Sequence, residues 1–305
     1  MCNFRCSHCY SQSGPLQESF LPANTILQFT SKLKALGYTR ISISGGEPSV
    51  YPEIERLCKG LKDQSYGISV ISNGWQTRRL LALVKLGLID EISVSFDGLP
   101  VQHDKIRGRL GSFKRAILAV SEYLDVKTIV GAVVSVSGNN LQHIPNLVDV
   151  LAATDLDRIQ LHPLALTGRA ASGQSGLRDL DGHQLLALLI NVRIFQELYP
   201  NVSFHCDAVA SEQLAHLSLP KKGDLISPLV ITETGNLLPI SYDLDSRFSL
   251  GNICQHSNQF SFSRWHIERI ETARGRCQKA PASTYYAELT SAFNELGNEE
   301  IGVIA

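Results

Sequence analysis

Three of the chain's seven cysteines, Cys2, Cys6 and Cys9, fall within its first ten residues. Thiols packed as small hydrophobes have no reason to bunch, whereas thiolates held this close can grip one metal centre. The spacing C-x3-C-x2-C offers three ligands. Structural zinc asks for four, usually in two pairs, and His8, wedged between Cys6 and Cys9, has little freedom to reach the same ion. Ferredoxin-type clusters also take four cysteines, and no fourth lies nearby. Three sulfurs on a four-iron cubane would leave one iron open to another ligand. Disulfides would strand an odd thiol and require an oxidising compartment. Spacing alone leaves an open-site iron–sulfur cluster, a zinc site and metal-free thiols all standing.

The rest of the chain must position these thiols. Its 305 residues, 44% apolar, suffice for one large α/β domain, or for a domain of roughly 200 residues with a smaller appendage. With 28 basic and 29 acidic residues the net charge is −1, which offers nothing to nucleic acid. No apolar run approaches the roughly 18 residues of a membrane span, and no signal segment precedes Cys2, so a cytoplasmic protein is expected. Apolar periodicity predicts helices over 22–36, 52–64, 76–86, 111–124, 141–153 and 180–199. Between them, strands are predicted at 40–44, 68–72, 91–96, 127–136 and 158–163. This alternation is that of βα units on a parallel sheet.

Polar and glycine-rich residues cluster just beyond three of these strands: Gly45-Gly46-Glu47, Ser72-Asn73-Gly74 and Asp97-Gly98. Each alone is a turn. Three successive strands ending this way mark the rim where parallel α/β folds bind ligands. After about residue 200 the pattern changes to short strands at 202–205, 229–232 and 237–242, a hairpin turn at 233–236, and helical stretches at 260–274 and 284–296.

Together, the cysteine motif, Gly45-Gly46-Glu47-Pro48 and Ser95-Phe96-Asp97-Gly98, in this order on a βα pattern, resemble the radical S-adenosylmethionine (radical SAM) enzymes. The resemblance implies a partial (β/α)6 barrel at 1–200 and a small α+β extension at 201–305. It implies a [4Fe–4S] cluster held by Cys2, Cys6 and Cys9, whose open iron binds the amino and carboxylate groups of S-adenosylmethionine. It places His8 against the adenine, and Gly45, Gly46 and Glu47 at the methionyl amino group. Ser72, Asn73, Ser95 and Asp97 match strand-end positions that meet the ribose or methionyl moiety. His103-Asp104-x-x-Arg107-Gly108 with Gly111-Ser112-Phe113 resembles the peptide-modifying and cofactor-maturing members, with Arg107 placed to pair with a carboxylate.

The implied activity is reductive cleavage of S-adenosylmethionine and hydrogen abstraction from a peptide, or alternatively from a tetrapyrrole or another small cofactor precursor. An electron donor such as a flavodoxin or ferredoxin is implied too. A non-catalytic iron–sulfur or zinc protein is the alternative of another class. Two departures stand out. The family carries a barrel strand just before its cysteine loop, yet only Met1 precedes Cys2; either the natural chain starts upstream, which is favoured, or the barrel lacks that strand. The segments 229–239 and 248–253 resemble the SPASM or twitch framework, but Ile240 stands where cysteine usually follows the hairpin proline. With only Cys206, Cys254 and Cys277 there, the extension is expected to have lost its auxiliary clusters. Cys58 is expected in the core, and His162, Asp207, Tyr242 and Asp243 are substrate-side candidates by position alone.

Overall fold

A computed structural model describes residues 1–173, 175–207, 229–239, 249 and 251–254. Six strands form one parallel sheet in chain order: β1 (Arg40–Ile43), β2 (Gly67–Ser72), β3 (Glu91–Phe96), β4 (Ile129–Val136), β5 (Arg158–Pro163) and β6 (Ser203–Cys206). The first helix, α1 (Ala23–Ala35), precedes them. Crossovers run through α2 (Ile54–Asp63), α3 (Arg78–Lys85), the pair α4 (Pro100–Arg107) and α5 (Ser112–Leu124), α6 (Ile144–Ala152) and α7 (Gly182–Leu198). A sheet whose order follows the chain curls one way, and the expected partial barrel results.

The register gives the two faces of this sheet opposite characters. Val70, Ile92 and Val130 align across β2–β4, and Val94, Ala132, Ile159 and Phe204 across β3–β6. All are buried, and α5 packs on β3 and β4 from this side. Apart from Ile71 and Val133, the alternate residues are small or polar: Ser42 and Ser69, then Ser93 beside Gly131, then Gln160 and His205. One face therefore builds the core, while the other carries hydroxyl, amide and imidazole groups. At the N-terminal edge Glu91 is buried between Arg40 and Arg158, the latter 2.8 Å away.

Two elements differ from expectation. The strand at 202–205, expected with the C-terminal part, extends the parallel sheet as β6, because Phe204 continues the apolar face and packs against Phe195 and Tyr199 of α7, with centroids 5.7 and 6.3 Å apart. Helix α4 carries no periodic stripe to announce it; Pro100 starts it and Gly108, at φ +64°, ends it. Cys58 is wholly buried on α2.

The chain divides into two compact units, one of residues 1–20 and 39–208, the other of residues 21–38 with those from 209 on. In the second, β7 (Leu229–Ile231), β8 (Asn236–Pro239) and β9 (Gly251–Asn252) form an antiparallel sheet. The expected hairpin turn is present, with Gly235 at φ +83°. Phe29 and Leu33 of α1 share a core with Leu237 and Ile253, which is why this helix groups with later sequence. Ile240, Tyr242, Asp243, Cys277 and the helices expected at 260–274 and 284–296 lie outside the described residues.

Packing is tight where β2 turns towards α3. Gly74 has φ +72°, and a Cβ there would lie 3.0 Å from Val94 Cγ1 and 3.2 Å from Ala116 Cα. Gly74→Ala should therefore lower stability by about 2 kcal/mol or more, combining left-handed strain with overpacking. A urea midpoint unchanged from the parent would contradict this.

Candidate active site

The cysteine loop has little regular structure and is fixed by distant sequence. Ser7 donates its amide to the Ile106 carbonyl at 2.8 Å. Arg169 holds the other side: Nε donates to the Cys6 carbonyl and Nη2 to the Ser13 carbonyl, both at 2.7 Å, and its amide donates to the Cys9 carbonyl at 3.0 Å. The residue before it must be glycine. Gly168 has φ +54°, and a Cβ would fall 2.2 Å from the Tyr10 carbonyl oxygen.

Cys6 is buried, and Cys2 and Cys9 are partly so. Burial pushes the Cys2 thiol up to about 12; the Phe4 amide opposes this, while Glu47, Cys6 and Cys9 add to it. Burial also raises Cys6, against the pull of Arg107. A bound cation would offset the cost of ionising Cys2 and Cys6 here, which is the chemistry of a metal-binding donor set.

At the end of β1, Glu47 is buried and both its carboxylate oxygens are engaged. Oε1 accepts from the Ser49 amide at 3.0 Å and the Ser72 hydroxyl at 2.8 Å, and Oε2 from the Asn73 amide at 2.8 Å. Asn73 Nδ2 then donates to Asn3 Oδ1 at 2.7 Å, tying the end of β2 to the cysteine loop. Gly45 has φ +108°, and a Cβ on Gly46 would fall 1.8 Å from the Met1 carbonyl oxygen.

At the end of β3, Asp97 is fully buried and paired with Arg107 Nε, while His8 Nε2 stands 3.4 Å from its other oxygen. The Asp97 amide donates to His103 Nδ1 at 3.2 Å, and its carbonyl accepts from Asn140 Nδ2 at 2.8 Å. Burial alone would raise the Asp97 carboxyl; Arg107, helped by His8 and His103, reverses this and holds it down at about 2. Burial likewise lowers His103 to about 4 and depresses His8. Ser95, two residues upstream, is partly exposed on the polar face of β3. Asp104 caps α5, accepting from the amides of Gly111 at 2.6 Å and Phe113 at 2.9 Å.

The structure thus gathers predicted residues into two groups around the loop, the hydrogen-bonded Glu47–Ser72–Asn73 and the charge cluster His8–Asp97–Arg107. Sequence reasoning missed Gly168, Arg169 and Asn140, and named His103 only as part of a motif; a Gly-Arg pair shortly after β5 was the one available signal. The substrate-side candidates His162 and Asp207 meet, with Nδ1 and Oδ2 2.8 Å apart, and Gln160 Nε2 donates to the same oxygen at 2.8 Å.

Three buried side-chain atoms bordering the loop lack hydrogen-bond partners: Asn3 Nδ2, His8 Nδ1 and Asp97 Oδ1. Unpaired polar atoms in one neighbourhood suit a polar ligand that completes them. Among the described residues no group of three or more His, Cys, Asp or Glu side chains stands in single-ion geometry.

Residues 1–151 match the model of the Radical SAM superfamily. The chain belongs to that superfamily. Radical SAM proteins bind a [4Fe–4S] cluster and S-adenosylmethionine, and the donor set and unpaired atoms around the loop fit both. Among curated relatives, the sporulation killing factor maturation protein SkfB of Bacillus subtilis is 25% identical over 189 residues, 61% of this chain and 46% of that protein. The Fe-coproporphyrin III synthase of Methanosarcina barkeri is 28% identical over 173 residues, 56% of this chain and 43% of that protein. The chain thus spans about half the length of these relatives. Among solved structures, anSMEcpe with bound AdoMet shares the fold at TM-score 0.68 and 16% identity, over 97% of this chain and 93% of that one. Streptococcus suis SuiB bound to S-adenosylmethionine does so at TM-score 0.65 and 15% identity, over 91% and 65%.

The Asp97–Arg107 pair gives a pH-resolved prediction. Arg107→Leu leaves a buried carboxylate unpaired and should cost about 3–5 kcal/mol at neutral pH. Because the folded-state pKa of Asp97 is depressed from 3.8 to about 2, the pair's contribution is present above the ordinary value and lost as pH falls through the lower one. The gap between parent and variant in denaturant midpoint should therefore narrow between about pH 4 and pH 2. A gap independent of pH across that interval would contradict the assignment.

Proposed function

We propose that this chain is a cytoplasmic radical SAM enzyme acting on a peptide. Cys2, Cys6 and Cys9 would hold the cluster, with Gly45, Gly46, Ser72, Asn73, Ser95 and His8 around the bound S-adenosylmethionine. When bound and reduced, these cofactors supply a 5′-deoxyadenosyl radical that removes a hydrogen atom from the substrate. The observation that carries this reading is the buried cysteine loop with its unpaired neighbours Asn3 Nδ2, His8 Nδ1 and Asp97 Oδ1.

The chain's own part is binding, orientation and exclusion of water. Glu47, accepting from three internal donors, holds the ends of β1 and β2 in register, and its Oε2, with a single donor, keeps acceptor capacity for the methionyl amino group. Arg107 keeps Asp97 ionised without water, and Asp97 in turn faces His8, leaving that ring fixed beside Cys9. Arg169 and Gly168 set the curvature of the cysteine loop. Among the described residues no helix is long and apolar enough to cross a membrane. Together with thiols that need reducing surroundings, this supports a cytoplasmic setting.

A peptide substrate is supported by the company the chain keeps: SkfB is named a maturation protein, and SuiB has been solved bound to precursor peptide SuiA. A second reading, a tetrapyrrole or related cofactor precursor, is supported by the Fe-coproporphyrin III synthase. The C-terminal part is read as a SPASM-like scaffold that has lost its auxiliary clusters.

Anaerobically reconstituted protein reduced with dithionite should convert S-adenosylmethionine to methionine and 5′-deoxyadenosine, with about four irons per chain. Replacing any of Cys2, Cys6 or Cys9 by alanine should abolish that conversion. A loaded cluster with no 5′-deoxyadenosine would sink the enzymatic reading, and iron well above four would overturn the cluster-free scaffold.

A further inference from the structure

At the ends of β5 and β6 the polar face of the sheet carries an imidazole–carboxylate pair. Val133 aligns with Ser95 of β3 on one side and with Gln160 of β5 on the other, and Gln160 aligns with His205 of β6. His162 stands two residues further towards the rim, level with Ser135. Its Nδ1 meets Asp207 Oδ2 at 2.8 Å, and Gln160 Nε2 donates to the same oxygen at 2.8 Å. The Asp207 side chain is 9% exposed and that of His162 51%, so a nearly buried carboxylate backs a half-open ring. Burial depresses the His8 imidazole, and a charge on His162 depresses it further, which puts the two rings in one neighbourhood.

An ionised carboxylate only accepts, so Nδ1 carries a proton and the neutral ring presents Nε2 as an acceptor. The pair adds little to the fold. β5 and β6 are already joined from Arg158 with Ser203 to Leu161 with Cys206, and the Asp207 amide extends that ladder to the Leu161 carbonyl at 3.2 Å. An ion pair with one side chain half exposed contributes little more. With the imidazole neutral or protonated, the pair never carries net positive charge. Among the described residues no lysine or arginine pairs with Asp207, and Arg158 is taken by Glu91 at 2.8 Å. On the loop side Arg107 is taken by Asp97, and Arg169 by the carbonyls of Cys6 and Ser13. Such a site favours a hydroxyl or N–H group and disfavours a carboxylate.

We propose that His162, oriented by Asp207, takes a hydrogen bond from the substrate, and that the group it takes is a hydroxyl or N–H of a peptide. The inference rests on the enzymatic reading above and deepens it, because the same pair turns away a precursor rich in carboxylates, as tetrapyrrole precursors are. His162 touches the substrate; Asp207 is a positioning residue that acts through it. The contact holds a C–H next to the bonded group towards His8 and the cysteine loop, and no bond forms or breaks in it.

The test uses reconstituted full-length protein with dithionite and S-adenosylmethionine, and two perdeuterated probes, N-acetylserinamide and propionate. The readout is the fraction of 5′-deoxyadenosine that carries deuterium, which does not depend on how fast the cluster turns over. In the parent that fraction should saturate with N-acetylserinamide, at a half-saturating concentration about tenfold or more below that of propionate. His162→Leu should raise the value for N-acetylserinamide about tenfold, and His162→Gln, whose amide oxygen can accept in place of Nε2, should recover part of it. Asp207→Asn keeps the size and removes the charge, so the preference for N-acetylserinamide over propionate should narrow about tenfold. Iron content and thermal midpoint equal to the parent's establish that each variant is folded; should His162→Leu fail that check, Asp207→Asn decides. An unchanged half-saturating concentration in His162→Leu, or an unchanged preference in Asp207→Asn, overturns the proposal. So does a parent that favours propionate, or unlabelled 5′-deoxyadenosine with both probes. Absence of any 5′-deoxyadenosine from the parent falls instead on the enzymatic reading.

Discussion

Asp97 and Arg107 form a carboxylate–guanidinium contact from which water is almost excluded, and the site is arranged about it. Burying two charges is costly, and the attraction between them returns little beyond that cost; what such a pair supplies is a unique arrangement. Here it fixes the end of β3 against the last residue of α4. The residue before Arg107 offers its carbonyl to Ser7, so the same helix end aligns the cysteine loop. Asp97 uses its backbone as fully as its side chain, receiving from Asn140 and donating to His103. A strand end, a helix end and the cysteine loop are thereby locked to one another by a single charged contact.

The two-faced sheet explains how much was visible beforehand. Alternation of strand and helix, and polar turns after three strands, are local patterns, and the partial barrel followed from them. Cys2, Cys6 and Cys9 lie close in sequence, so their clustering was visible there, while spacing alone left a cluster, a zinc site and metal-free thiols standing. Arg169 was not legible, because a single arginine in an irregular loop has no period, and its function depends on contact with residues far earlier in the chain. Strand β6 was misplaced because four residues carry too little pattern to choose between a parallel and an antiparallel neighbour. The partners of α1 were invisible for a related reason: its apolar stripe predicted burial, but not that Leu237 and Ile253 would provide it.

Glu47 shows how a motif residue can serve the frame of a site as well as its ligand. Its three donors come from the turn after β1 and from the end of β2, and all are internal. A carboxylate so engaged is a clamp. It spaces two strand ends so that glycine backbone lies open between them, and the unpaired polar atoms are left to Asn3, His8 and Asp97.

The grip of Arg169 on the carbonyls of Cys6 and Ser13 closes loops of 163 and 156 residues. Contacts that distant form late, after the intervening strands have assembled. During synthesis the amino-terminal thiols therefore emerge long before the clamp that gives their loop its curvature. Iron and sulfide delivered before Arg169 has taken hold would meet an unshaped peptide, so assembly of the inorganic centre belongs after the strands have closed around the cysteine loop.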